Sequence, residues 1–139
     1  MLNNWITPEA MAGLFIRVFT GILFLFQGYD KIFRLGLKEV FNTVSPSYKK
    51  AGLGDGSIRL FVTITSWIEL TGGLLLILGL FKYVALYALG ADLLIVALGM
   101  SIINPMWDLQ HVFPRFILII FLLIYPSTLD IITLDHIVF

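Results

Sequence analysis

The chain contains no cysteine among its 139 residues. This absence excludes disulfide bonds, thiolate nucleophiles, cysteine-ligated metals and covalently attached c-type haem. Histidine is nearly absent too, and both examples, His111 and His136, lie outside the long apolar runs. We therefore expect neither a bis-histidine haem among the apolar helices nor a metal site.

Charged residues are also scarce: they make up 13% of the chain, against about 25% in soluble proteins. Hydrophobic residues make up 59%, and the mean hydropathy is +0.97. A soluble core of this size does not need so much apolar surface, so the sequence predicts an integral membrane protein in contact with the lipid bilayer. The net charge is zero, so the chain lacks the basic excess of nucleic-acid-binding proteins and we expect no nucleic-acid partner.

Long apolar runs separated by polar connections predict a single domain with an all-α fold, a four-transmembrane-helix bundle. Thr7, Pro8 and Glu9 are typical of a capped helix start. In the connection between the first two helices, residues 35–44 predict either a short interfacial helix or an ordinary surface loop. We expect transmembrane helices at about residues 8–33, 58–80, 83–103 and 113–129.

The first apolar run contains an arginine, Arg17. A charge at this depth costs at least about 2.5 kcal/mol unless it is paired or reaches water. Glu69 and Asp92 lie in the second and third apolar runs, and we expect three helices to converge on these three charges, with either carboxylate as the partner of Arg17. The alternative is that Arg17 extends to the lipid headgroups. The predicted buried charge cluster or ligand pocket consists of Arg17, Gln27, Lys31, Glu69 and Asp92.

Small residues share helix faces with these charges. At 100° per residue, the glycines of the first helix fall with Arg17 and Lys31 within about an 80° arc. Such a face lets another helix approach closely. The glycines predicted to serve helix packing are Gly13, Gly21, Gly28, Gly72, Gly73 and Gly99.

A further polar group precedes the fourth helix. Asp108, His111 and Arg115 would share a face if that helix began early, but Pro114 is typical of a helix start at this point. The alternative is a set of unrelated polar residues at the membrane boundary.

Two segments resemble the DoxX family. Residues 17–33, RVFTGILFLFQGYDKIF, are similar to its first-helix signature at Arg17, Gly21, Gln27, Gly28 and Lys31, although many members have histidine where Gln27 stands. Residues 69–89, ELTGGLLLILGLFKYVALYAL, are similar to its second motif, and residues 127–130, STLD, resemble its Ser-Leu-Asp element. The resemblance implies a small membrane protein of four helices.

The functions that this resemblance implies are diverse. The family includes a membrane subunit of archaeal thiosulfate:quinone oxidoreductase, a relative in methylamine dehydrogenase maturation, and distant relatives that act as cargo receptors. We expect a non-catalytic accessory subunit or assembly partner of a larger membrane complex, and not an enzyme acting on its own. One alternative is a redox-associated subunit with a quinone-type pocket, for which quinone would be the cofactor. A further alternative is a small transporter or proton path.

The distribution of basic residues predicts orientation in the membrane. Four helices place both termini on the same side, and basic residues favour the cytoplasmic side. We therefore expect a bacterial inner (cytoplasmic) membrane protein with the first connection in the cytoplasm, both termini outside, and other membrane subunits or further copies of the chain as partners. The connection side carries Lys31, Arg34, Lys38, Lys49, Lys50 and Arg59, and the other side carries Lys82.

Overall fold

The structure is a computed structural model that describes residues 7–103, 110–130 and 132–135. Within these ranges all regular secondary structure is helical, which confirms the predicted all-α fold. A π-helical turn, Asp30–Arg34, continues the first helix. The helices are α1 (Pro8–Tyr29), α2 (Leu37–Lys50), α3 (Asp55–Leu78), α4 (Lys82–Ile103) and α5 (Phe113–Ile124).

Three helices of the described chain are long and apolar enough to cross a membrane: α1 with its π-helical turn, α3 and α4. The fourth predicted span is wrong at its C-terminal end, because α5 stops at Ile124 and not at residue 129. Tyr125 is extended, as expected of a residue that precedes proline. The 12 residues of α5 cover about 18 Å, less than the roughly 30 Å of a hydrocarbon core.

The start of α1 confirms the predicted cap. The Thr7 hydroxyl accepts a hydrogen bond from the Ala10 N–H at 3.2 Å, and Pro8 and Glu9 occupy the first turn. The cap satisfies one of the N–H groups that a helix start leaves without an intrahelical partner.

The first connection forms helix α2, which is longer than predicted. The sequence predicted either a short helix over residues 35–44 or an ordinary loop. The helix continues to Lys50, through Pro46. Its apolar face, which includes Phe41 and Tyr48, packs against Ile58 and Val62 of α3. This tertiary contact stabilises helix beyond the proline that the sequence pattern treats as a breaker.

The boundaries of α3 and the start of α4 shift by one to three residues from those predicted, and the end of α4 at Ile103 is as predicted. Helix α3 begins at Asp55 and ends at Leu78, because Gly79 adopts a left-handed conformation (φ +65°) that closes the helix. Helix α4 begins at Lys82, whose N–H group donates a hydrogen bond to the carboxylate of Asp135.

Helices α1 and α3 approach each other at glycines. A Cβ atom on Gly21 would lie 2.8 Å from the Gly73 carbonyl oxygen, and one on Gly28 would lie 2.7 Å from Leu70 Cα. Both distances are too short for a real side chain, so these positions bring the two backbones into contact. The buried apolar core between α1, α3, α4 and α5 consists of Phe24, Leu76, Ala85, Leu86, Leu89, Leu93, Val112, Ile119 and Leu122.

Candidate functional site

The register between α1 and α3 separates the buried charges along the helix axes. Arg17 lies against Gly79, and Gly28 lies against Leu70, the residue next to Glu69. Because α1 and α3 are antiparallel, Arg17 reaches the C-terminal end of α3, whereas Glu69 lies beside the C-terminal half of α1. The charges of the first and second apolar runs therefore occupy different depths.

The register between α3 and α4 places Asp92 at the depth of Glu69. Gly72 of α3 lies against Leu89 of α4. Because the two helices are antiparallel, Glu69, three residues before Gly72, lies level with Asp92, three residues after Leu89. Gln27 occupies the same level on α1. This level is ten residues of α1 away from the arginine, about 15 Å, with the apolar core between them.

The arginine has an extensive set of partners. Arg17 is 1% exposed, and its Nε lies 3.5 Å from Asp130 Oδ1; Lys82 Nζ lies 2.7 Å from Asp130 Oδ2. The guanidinium also donates to the Leu76 carbonyl oxygen at 2.9 Å and to that of Ile132. The Leu76 carbonyl lies at the C-terminal end of α3, where the helix dipole is negative. We call Arg17, Lys82 and Asp130 the arginine cluster.

The chain after α5 folds back over the arginine cluster. The Asp135 carboxylate accepts hydrogen bonds from the N–H groups of Phe81 at 2.9 Å and Lys82 at 3.2 Å, and so caps α4. The Tyr125 hydroxyl donates to the Glu9 carbonyl oxygen, and burial raises the pKa of this tyrosine. The described part of residues 125–135, here the C-terminal segment, thus connects the ends of α1, α3 and α4.

The prediction that Arg17, Glu69 and Asp92 converge is wrong. Arg17 pairs with Asp130, because the C-terminal segment folds against the end of the bundle that Arg17 faces. Neither Lys82 nor Asp130 was predicted as a partner of Arg17. Lys82 was counted only as a basic residue at a membrane boundary, and the one signal for Asp130 was the STLD element.

The remaining predicted site residues lie together at the second level. Lys31 Nζ lies 2.8 Å and 2.6 Å from the two carboxylate oxygens of Glu69, whose side chain is 1% exposed. Asp92, also 1% exposed, interacts electrostatically with both residues. Among the described residues, neither oxygen of Asp92 has a hydrogen-bond partner, and neither does Gln27 Oε1. We call Gln27, Lys31, Glu69 and Asp92 the lysine cluster.

A cavity of about 310 Å³ lies beside the lysine cluster, between α2, α3 and α4. Its walls include apolar side chains such as Val96 and Met100 and the polar side chains of Tyr48 and Thr65, and Lys31 lies on its border. Burial raises the pKa of the Tyr48 hydroxyl, so this group remains a hydrogen-bond donor at neutral pH.

Helical spacing connects this cavity to the unpaired carboxylate. Asp92 precedes Val96 by one turn of α4, and Glu69 follows Thr65 by one turn of α3. Residues four apart lie on the same helix face, so both carboxylates lie about one turn deeper than the cavity walls. A small molecule in the cavity would therefore have the lysine cluster at its inner end.

A second cavity, of about 390 Å³, borders the arginine cluster. Its charged lining residues are Lys82, Asp130 and Asp135. Lys82 and Asp130 form an ion pair, and Asp135 accepts hydrogen bonds from α4. The main polar groups of this cavity already have protein partners.

Of the predicted group before α5, Asp108 lies outside the described residues. His111 is exposed and Arg115 is half-buried. Arg115 interacts electrostatically with Glu69, so it belongs to the surroundings of the lysine cluster. The grouping of all three residues stays a prediction.

The apolar helices and their buried ion pairs define an integral membrane protein. The family model of DoxX matches residues 12–102, well over half of the chain. The chain belongs to the DoxX family. No curated protein and no solved structure matches it. The matched range contains the whole lysine cluster and ends before α5, so Asp130 lies beyond it.

Proposed function

We propose that this DoxX protein is a redox-associated membrane subunit that binds a small amphipathic molecule of the quinone type. The observation that carries the proposal is the cavity between α2, α3 and α4, which Lys31 of the lysine cluster borders. A partner protein would exchange electrons with the bound molecule, and this chain would supply the binding site within the membrane.

The cavity residues fit a quinone-type ring. Its carbonyl oxygens need hydrogen-bond donors, and Lys31 and Tyr48 border the cavity with donor groups. The ring and its tail need apolar surroundings, which Val96 and Met100 contribute. A volume of about 310 Å³ lies within the range of small-molecule sites, about 300–1,000 Å³.

A pair of substitutions on α4 tests this proposal. Val96 lines the cavity, whereas Leu94 on the same helix is 53% exposed on the outer face. Val96→Trp fills the cavity, so we expect it to abolish binding of tetramethylbenzoquinone or its hydroquinone to the detergent-purified protein, measured by anaerobic isothermal titration calorimetry. Leu94→Trp adds the same side chain to the outer face and should bind as the unsubstituted chain does. Absence of binding of both molecules to the unsubstituted chain refutes the proposal.

The second candidate is a non-catalytic accessory subunit or assembly partner. The arginine cluster favours it, because these charges fasten the C-terminal segment to the helices and so serve the fold. Purification from the native membrane, with mass spectrometry of proteins and extracted lipids, separates the two candidates. A bound quinone supports the redox candidate, and a stoichiometric assembly without one supports the accessory candidate.

We further propose that α5 lies within the membrane as the fourth helix of the bundle, with the first connection in the cytoplasm. The buried Ile119 and Leu122 of α5 belong to the same core as residues of α1, α3 and α4. The absence of cysteine allows a direct test with single cysteines and a membrane-impermeant maleimide applied to intact cells. Ser127→Cys should react, and Ser57→Cys, exposed at the opposite end, should react only after lysis; the reverse pattern contradicts this orientation.

A further inference from the structure

The lysine cluster is unbalanced in hydrogen-bonding groups. Its one ammonium group, that of Lys31, lies against both oxygens of Glu69. Three buried acceptor atoms then remain without a donor among the described residues: the two oxygens of Asp92 and Oε1 of Gln27. Buried polar atoms without a partner are costly and uncommon in folded proteins.

These acceptors lie beyond the inner end of the cavity, behind the residues that line it. Gln27 and Asp92 occupy the same level of the bundle as Glu69, about one turn beyond the cavity walls. Asp92 also interacts electrostatically with Lys31, which borders the cavity. A bound molecule that extends past Lys31 therefore meets acceptors.

The excess of hydrogen-bond acceptors holds for either protonation state of Asp92. The ionised carboxylate offers only acceptors, and the protonated form offers one donor beside a remaining acceptor. With Gln27 Oε1 included, the buried groups without a partner among the described residues are three acceptors when Asp92 is ionised, and two acceptors with one donor when it is protonated. A ligand group that only accepts hydrogen bonds, such as a quinone carbonyl, leaves this excess unsatisfied, whereas a hydroxyl group donates to it.

We propose that the inner end of the cavity selects ligands with a hydroxyl head group, so that the hydroquinone form binds more tightly than the corresponding quinone. This inference rests on the proposed function and adds the redox state of the bound molecule. Lys31 and Tyr48 can serve the oxygen at the outer end of the ring, and Asp92 with Gln27 accepts from the hydroxyl at the inner end.

Tetramethylbenzohydroquinone and tetramethylbenzoquinone provide a matched test, because they share a ring and its substituents. Under anaerobic titration calorimetry of the purified full chain, we expect the hydroquinone to bind about tenfold more tightly, the effect of one or two hydrogen bonds. Asp92→Asn keeps the side-chain size and replaces an acceptor with a donor, so it should abolish or reverse this preference. Gln27→Met, which removes the other acceptor, should reduce the preference.

A control and three outcomes complete the test. Glu39→Gln alters an exposed carboxylate of α2 and should leave the preference unchanged. Equal binding of the two forms, tighter quinone binding, or a preference that survives Asp92→Asn overturns the inference while leaving the proposed function intact. If neither molecule binds, the proposed function fails and this inference fails with it.

Discussion

The arginine cluster and the lysine cluster are both buried in the same bundle, yet they differ in how completely their charges are paired. Each charge of the arginine cluster has an opposite charge within 3.5 Å, and Arg17 also donates to two carbonyl groups. In the lysine cluster, the pair of Lys31 and Glu69 is close, but Asp92 has no hydrogen-bond partner among the described residues. Burial of a charge alone therefore does not distinguish a structural group from a functional one.

This difference in charge pairing helps to separate structural from functional groups. Buried ion pairs such as those of the arginine cluster hold segments together, and removal of one partner leaves an uncompensated charge. An unpaired buried carboxylate stabilises nothing by itself, so its presence is better explained by an external partner. On this criterion we assign the arginine cluster to the fold and the lysine cluster to the proposed ligand.

The largest expected effect is that of Arg17→Ala. This change leaves the carboxylate of Asp130 with Lys82 alone and removes the donor to two carbonyl groups, so we expect a loss of about 3–5 kcal/mol. The measurement is the unfolding temperature in detergent, together with the amount of protein in the membrane. Arg34→Ala removes an arginine from an exposed pair with Asp30 and should change neither; similar effects of both substitutions would contradict the structural role of the arginine cluster.

A smaller loss is expected from Glu69→Ala. Lys31 loses its partner, but its side chain is 23% exposed and borders the cavity, so water can solvate part of the ammonium group. We expect about 1–3 kcal/mol of destabilisation, measured by the same thermal unfolding. Glu69→Gln retains one hydrogen-bond acceptor and should cost less than the alanine variant. A loss as large as that of Arg17→Ala would remove the distinction between the clusters.

Tyr125→Phe tests the attachment of the C-terminal segment by one hydrogen bond. The variant keeps the ring and removes the hydroxyl that donates to the Glu9 carbonyl oxygen. We expect a loss of about 1 kcal/mol and unchanged ligand binding, because Tyr125 lies against Gly13, about 21 Å along α1 from Gln27 of the lysine cluster. Altered affinity for the quinone-type molecules would show that the two clusters are coupled.

The smallest effect on stability, and the sharpest contrast, is expected from Asp92→Leu. Removal of a buried carboxylate without a hydrogen-bond partner should cost nothing and should stabilise by up to about 1 kcal/mol. Asp130→Leu is the matched control, because it deletes a carboxylate of the same type that has two cationic partners, and it should destabilise strongly. Equal losses in thermal unfolding would mean that Asp92 has a structural partner.

Local chemistry made much of the fold predictable. The apolar runs identified α1, α3 and α4, and Thr7 identified the start of α1 through its capping hydroxyl. Pro126 limits α5, although the apolar pattern continued the helix to residue 129. The continuation of α2 through Pro46 was not predictable, because it depends on packing against α3.

The candidate site was predictable as a set of residue types more than as a set of contacts. Lys31, Glu69 and Asp92 were predicted as members of one cluster, and they lie together at one level of the bundle. The place of Arg17 was not predictable from spacing, because helix periodicity gives the direction of a side chain and not the depth of its partner. That depth follows from the register of α1 against α3, which the glycine contacts set.

The sequence by itself determined that this chain is a membrane protein of apolar helices, because hydropathy and helical periodicity are local properties of the chain. It also carried the DoxX signature that the family match confirms. Only the tertiary structure decided which charges pair. The C-terminal segment folds back to give Arg17 its partner in Asp130, and the helix register leaves Asp92 without a hydrogen-bond partner among the described residues. Ion pairing between distant residues depends on distances of a few ångströms, which only the packed bundle defines.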